Sequence, residues 1–430
     1  MKLSHCYIAV VLFVSLIPKA SAQNTAQFQD QNGYQASAAN GALSKLLRWK
    51  TFVPQQQNTQ IIDPKLKMLE EIGIQTPQNT TLTNNYEFFG GEIDKGNNVP
   101  YSAITDGEGN TYITGGSTNV TQPCGDFFTM KVSASGETLW QKREAAAIYA
   151  VEYGMHLAFD GAGNIIAAGL KWNGNDMDIR VIKYSPAGDK LWDSVFENTT
   201  QGIEIPAALT VGSDGSIYIA GITSSGTSVD YLTLKYNTDG SLAWSQTENP
   251  AGNDSWNEAT AVAVDATGNV IVTGYSPNAD GWLNYHTVKY NPQGNKLWEQ
   301  GYNYESTDPE NPAAVTNSVA QAVTTDAESN IYVTGTFDIF LSRIGTIKYN
   351  ANGEQQWIAT HKSGSDFTTG RQIATKGDAI YVAGSHVGSF SNDGTVLLSY
   401  TTNGVENWVK ETTDLIEAVN TTLSFDAEGN

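Results

Sequence analysis

AVAVDATGNVIVTG, residues 261–274, is followed by HTVKYNPQGNKLW, residues 286–298, and these two phrases decide the fold. AVAV alternates as a half-buried strand does, and the Asp265, Gly268 and Asn269 cluster marks a tight turn. VIVTG is a second strand, ended by a glycine that lets the backbone bend. HTVKYN reads as a third strand. Asn291, Pro292 and Gly294 make another turn, and KLW runs into a fourth.

Working outward, the first phrase recurs as DGEGNTYITG from Asp106, DGAGNIIAAG from Asp160, GSDGSIYIAG from Gly212, DAESNIYVTG from Asp326 and TKGDAIYVAG from Thr375. The second recurs with its tryptophan at Trp140, Trp192, Trp244, Trp357 and Trp408. Motif start to tryptophan takes 34, 32, 32, 33, 31 and 33 residues, and tryptophan to the next motif 20, 20, 21, 28, 18 and 18. A steady period of about 53 residues means one repeated unit. Four short strands per unit, repeated radially, make a β-propeller, in which neighbouring units bury each other's faces. Immunoglobulin-like sandwiches would need about 100 residues each. The expected fold is therefore all-β, a propeller of four-stranded blades: six complete and a partial seventh.

The seventh is expected from the two ends. Tyr86 in YEFFGG lies 20 residues before Asp106, where a fourth strand belongs, and TTLSFDAEGN restarts the motif at Asp426. Strands two and three of that blade have no counterpart in the sequence, so the chain reads as truncated at its C-terminus. Residues 86–430 are assigned to the propeller. Residues 23–85 are read as a flexible segment with one short helix, opened by Asp63 as cap and Pro64 at the first helical position. Residues 1–22 read as a signal peptide: Lys2, an apolar run from Tyr7 to Ile17, and Ala20-Ser21-Ala22 as cleavage site. That run is shorter than the ~20 residues of a membrane span.

The layout D-x-x-GN-x-Y-V-T-G … KYN-x-x-G-x-x-W resembles that of the bacterial SBBP β-propeller repeat family. The resemblance covers Tyr86 to Asn430 and rests on the six copies quoted above. It implies a propeller in an extracytoplasmic setting. The family has no common catalytic residues to carry over.

The full chain of 430 residues has 24 basic and 45 acidic side chains, a net charge of −21. Such a surface repels nucleic acid and anionic membranes. Of two cysteines, Cys6 leaves with the signal, so Cys124 has no intrachain partner in the mature chain. A secreted or cell-surface monomer held by its packed core is expected.

The repeated tryptophans are read as packing between blades. Each motif aspartate is read as accepting N–H bonds in its own turn. Lys131, Lys183, Lys235, Lys289 and Lys348 recur on strand three, and the one copy with Ser399 instead also has Thr375 at the aspartate's place, which points to an Asp–Lys pair within each blade. Copy three is imperfect, with its acid displaced to Asp214. No cofactor is expected. Calcium would need an array such as D-x-D-x-D-G, and the nearest run, Asn175-Asp176-Met177-Asp178, reads as a solvated loop. His156, His286, His361 and His386 have no metal-site spacing, and no G-x-S-x-G elbow occurs.

In a propeller, the connections from strand two to three and from strand four to the next blade share one face. Those connections vary here and carry Trp172, Trp256 and Trp282. The longest also carries Tyr302, Tyr304, Glu305 and Asp308. These seven residues are the candidate ligand site. Aromatic rings and carboxylates there suit a glycan or a protein partner, since loops on a rigid scaffold commonly carry function. The alternative is an enzyme: KYNTDGSLAW is similar to the D-x-x-T-G-K-x-x-W phrase of pyrroloquinoline-quinone dehydrogenase propellers, which would imply a quinoprotein-like oxidoreductase.

Overall fold

A computed structural model describes residues 25–29, 35–39 and, within 98–412, all but 118–124, 145–150, 199–201, 226–227, 253–254, 306–315, 339–341, 365–366 and 388–393. The expected signal peptide, the expected helix at Asp63–Pro64, the Tyr86 and Asp426 segments, Cys124 and Asp308 lie outside the described residues. The chain divides into two compact units, Met1–Phe88 with Asn430, and Phe89–Gly429. In the first, β1 (Thr25–Gln29) and β2 (Gln35–Ala39) pair antiparallel.

The second unit holds six four-stranded antiparallel sheets among the described residues, each with its strands in chain order. Blade 1 comprises β3 (Asn98–Thr105), β4 (Thr111–Ser117), β5 (Asp126–Val132) and β6 (Thr138–Glu144). Blade 2 comprises β7 (Glu152–Phe159), β8 (Ile165–Trp172), β9 (Met177–Tyr184) and β10 (Lys190–Phe196). Blade 3 comprises β11 (Glu204–Val211), β12 (Ile217–Ser225), β13 (Ser228–Tyr236) and β14 (Leu242–Glu248). Blade 4 comprises β15 (Glu258–Val264), β16 (Val270–Pro277), β17 (Leu283–Tyr290) and β18 (Lys296–Tyr302). Blade 5 comprises β19 (Val319–Thr325), β20 (Ile331–Phe337), β21 (Arg343–Tyr349) and β22 (Gln355–His361). Blade 6 comprises β23 (Phe367–Lys376), β24 (Ala379–Val387), β25 (Gly394–Thr401) and β26 (Glu406–Glu411). The fold is a β-propeller.

Its core lies between blades. The middle two strands are buried on both faces, whereas fourth strands such as β14 and β18 alternate with solvent. Apolar clusters fill the five interfaces from blade 1/2 to blade 5/6; between blades 3 and 4, Tyr218 and Tyr231 meet Ala259 and Val262.

A second device repeats at each interface. The indole N–H of Trp140, Trp192, Trp244, Trp298 and Trp357 donates to a carbonyl in the next blade's last turn: Pro186, Thr238, Pro292, Ala351 and Thr402, at 3.0–3.1 Å. The ring lies over the glycine two residues further on; at Gly240 (φ +85°) a Cβ would come within 2.6 Å of Trp192. Glycine serves twice there, for the left-handed turn and for the ring's seat. The tryptophans pack between blades as the sequence suggests.

The Asp–Lys pairs are more selective than expected. Lys183–Asp160 and Lys289–Asp265 meet at 2.8 Å, and Lys131–Asp106 at 3.8 Å. Blades 3 and 5 show no such pair among the described residues. The difference follows the residue beside the turn on the second strand. Where it is Ile166 or Ile271, the ammonium reaches the carboxylate. Where it is a tyrosine, the ring intervenes: Tyr332 donates to Asp326 at 2.9 Å and Lys348 sits over the ring instead, while Tyr112 donates to Asp106 at 3.2 Å, Lys131 sits over its ring, and the pair lengthens to 3.8 Å. Four of these lysines also donate to the carbonyl that the indole uses, so they join blades as well as strands. In blade 6 the register corrects the sequence reading: Thr375 faces Ile380 as Thr325 faces Ile331, which puts Lys376, not Thr375, at the aspartate's place. That turn is one residue shorter, and counting alone misaligned it.

Candidate functional site

Connections from second to third strands, and from each blade to the next, emerge on the face opposite the short Asp/Gly turns. Trp172 ends β8 and is 37% exposed. The turn after it is built by Asn173, whose Oδ1 accepts the N–H groups of Asn175 and Asp176, while its Nδ2 donates to the carboxylates of Asp176 and Asp178. Trp282 is likewise 37% exposed. Asn278 Oδ1 accepts from the N–H of Asp280 and of Trp282, both at 3.0 Å, and fixes the turn that presents the ring.

Trp256, in the connection from blade 3 to blade 4, is half-buried. Its indole donates to Glu258 Oε2 at 3.3 Å, which also accepts from the Tyr275 hydroxyl at 2.5 Å. Beside it, buried Asn257 donates to Val229 O and Asn249 Oδ1 and accepts from the Ser276 hydroxyl, pinning the connection. Tyr302 is half-buried, and Tyr304, 5% exposed, stacks on Phe337 at 4.9 Å with the Arg343 guanidinium 5.3 Å over its ring. Glu305 is exposed. Trp172 and Trp282 thus stand as rings available to solvent, Trp256 is partly so, and Tyr304 packs its own loop down. Trp172 ends a strand of blade 2, Trp282 precedes the third strand of blade 4, Trp256 lies in the connection from blade 3 to blade 4, and Tyr304 follows the last strand of blade 4.

Sequence reasoning missed a buried acidic group beside Trp172. Asp178 opens the third strand of blade 2 and Glu204 the first strand of blade 3. Glu204 is fully buried; Oε1 accepts the Thr223 hydroxyl at 2.8 Å and Oε2 has no hydrogen-bond partner. Burial, with the charges of Asp178 and Asp176 adding, pushes its carboxyl up to about 7. Burial also raises Asp178. The equivalent acid one interface earlier, Glu152, has a cation: Arg180 Nη1 lies 2.6 Å away. Thus Asp178 of the Asn175–Asp178 run is buried rather than solvated. The recurrence of Glu152 and Glu204 eight residues before each motif start was a signal in the sequence. Among the described residues no group of three His, Cys, Asp or Glu side chains is arranged to hold a metal ion. Among them no helix is long and apolar enough to cross a membrane.

No protein-family model matches the sequence, and no curated protein matches it. Solved structures do. The periplasmic gluconolactonase of Pseudomonas aeruginosa is 13% identical, with a TM-score of 0.46, 74% of this chain and 87% of that chain covered. A PL25 ulvan lyase bound to -[GlcA(1-4)Rha3S]- is 11% identical, with a TM-score of 0.45 over 74% and 85%. A protein of unknown function from Dyadobacter fermentans is 10% identical, with a TM-score of 0.42 over 74% and 95%. The propeller assignment stands on this chain's own strand pairing.

Proposed function

We propose that this chain is a secreted, SBBP-type propeller that binds a neutral glycan on its loop face, without catalysing a reaction. In this reading residues 1–22 are removed on export, residues 23–85 lead into the ring, and residues 86–430 belong to the propeller. The carrying observation is the pair Trp172 and Trp282: large apolar rings, each 37% exposed, flanking turns fixed by asparagine side chains. Exposing a tryptophan to water is unfavourable, and an aromatic face is what the apolar face of a sugar ring stacks on. Carboxylates nearby accept sugar hydroxyls. A rigid scaffold lowers the ordering cost of binding.

A glycan array probed with the purified chain, repeated with Trp172→Ala and Trp282→Ala, tests this. Binding to neutral glycans that falls in both variants is the expected result. Binding only to basic proteins, weakening as salt rises, would instead make the acidic surface the binding element.

A further inference from the structure

The tryptophan-on-glycine contact that joins successive blades is incomplete at both ends of the described ring. Trp408, the sixth tryptophan, is 38% exposed and its indole N–H has no acceptor among the described residues. At the other end, Gly136 (φ +88°) occupies the place of Gly188 and Gly240 in its turn, yet no described residue lies within 4 Å of where its Cβ would be. A six-bladed ring closed on itself would seat Trp408 on Gly136, and it does not. Among the described residues, no glycine of a further blade therefore seats Trp408 on blade 6.

The face of blade 6 that carries Trp408 is defined by register. Tyr381 pairs with Ser399, Ala383 with Leu397, and Ser399 with Trp408, so these side chains share one side of the sheet. In blade 1 the same positions are Tyr112, Lys131 and Trp140. There the first strand of the next blade supplies the cover: Leu157 joins the cluster with Tyr112, and Phe159 meets the Tyr112 ring edge-on at 5.2 Å. Leu157 and Phe159 stand three and one residues before Asp160. At the three-before position the other blades have Leu209, Val262, Val323 and Ile373, each packed into an interface cluster.

Thr421–Asp426 repeats this pattern, with Leu423 three and Phe425 one residue before Asp426. Its distance from Trp408, 18 residues to Asp426, is within one residue of the 19 from Trp357 to Lys376. We infer that Thr421–Asp426 docks on blade 6 as the first strand of a seventh blade, Leu423 and Phe425 covering Leu397 and Tyr381 as Leu157 and Phe159 cover blade 1. One strand of alternating apolar residues suits this surface because the middle strands beneath it need cover on both sides.

Cysteine pairs in the full chain, with Cys6 and Cys124 changed to serine, test the docking. Tyr381→Cys with Phe425→Cys, and separately Leu397→Cys with Leu423→Cys, are treated with a short bis-maleimide. The expected result is a monomer of shifted mobility whose digest holds the linked peptides, in at least one pair and not in single-cysteine controls. Two pairs are used so that a loss of folding yield in one, read by circular dichroism, leaves the other as the test. Linked dimers would show a second copy on this face and overturn the inference. So would folded, singly labelled protein that never cross-links.

Discussion

Asp265 and Lys289 show what a buried charge pair does in this repeat. Burial alone would raise the Asp265 carboxyl, but the ammonium at 2.8 Å, with Asn269 and Thr267, reverses this and holds it at about 2. Asp265→Asn leaves Lys289 buried without its counter-charge, and a loss of about 3 kcal/mol is expected in denaturant unfolding at pH 7. Because the folded value is depressed, the pair's contribution is present above the unfolded value near 3.8 and fades as pH falls toward 2. Glu204 has the opposite sign. Its folded value of about 7 lies above 4.5, so the native state holds the proton more tightly and stability falls as pH rises from 4.5 to 7. Glu204→Gln keeps an acceptor for Thr223 and should flatten that slope, gaining on the order of 2 kcal/mol at pH 8. Chemical denaturation at pH 5 and 8 checks both the sign and the size. Neither feature was fully legible in the sequence. The lysine's position was visible, but its reach to a carbonyl of the next blade has no compositional mark, and a lone glutamate at a strand start looks solvated.

Blades are joined by rings seated on glycines, and this contact can be separated from backbone strain. Gly136 and Gly240 have the same left-handed backbone, φ +88° and +85°, but among the described residues only Gly240 lies under a ring. Gly136→Ala should cost about 1 kcal/mol from conformation alone. Gly240→Ala must also displace Trp192, and about 3 kcal/mol is expected. Thermal unfolding of the two variants side by side reads the difference, and equal losses would mean that the seat contributes nothing. Strand boundaries were legible because each turn requires Asp, Asn or Gly at fixed places. The sixth turn was misread because Lys376-Gly377-Asp378-Ala379 is one residue shorter, which only the pairing of Thr375 with Ile380 reveals.

The two faces of the propeller differ in kind. One carries short, uniform turns that lock blades together; the other carries connections that vary in length and present Trp172 and Trp282. The repeat period made the fold legible, and the variable connections pointed to a candidate face. Which rings would be exposed was not legible, because Tyr304 and Trp282 look alike in sequence. Phe337 draws one into the core, while the Asn278 turn holds the other out. Trp282→Ala should lower stability by about 1 kcal/mol, since the residue is 37% exposed and the rest of its surface is covered. An interface tryptophan is commonly worth about 2 kcal/mol, so binding should weaken about thirtyfold. The most direct measurement is calorimetric titration of one neutral glycan, chosen from the array, into the wild type, Trp282→Ala and Leu191→Ala. Leu191 is 50% exposed on the outer strand of blade 2 and serves as a control away from the loops. A propeller that binds through its loop face loses affinity with Trp282→Ala and keeps it with Leu191→Ala, with both variants folded at the temperature of titration. Unchanged affinity in Trp282→Ala, or an equal loss in Leu191→Ala, would contradict loop-face binding.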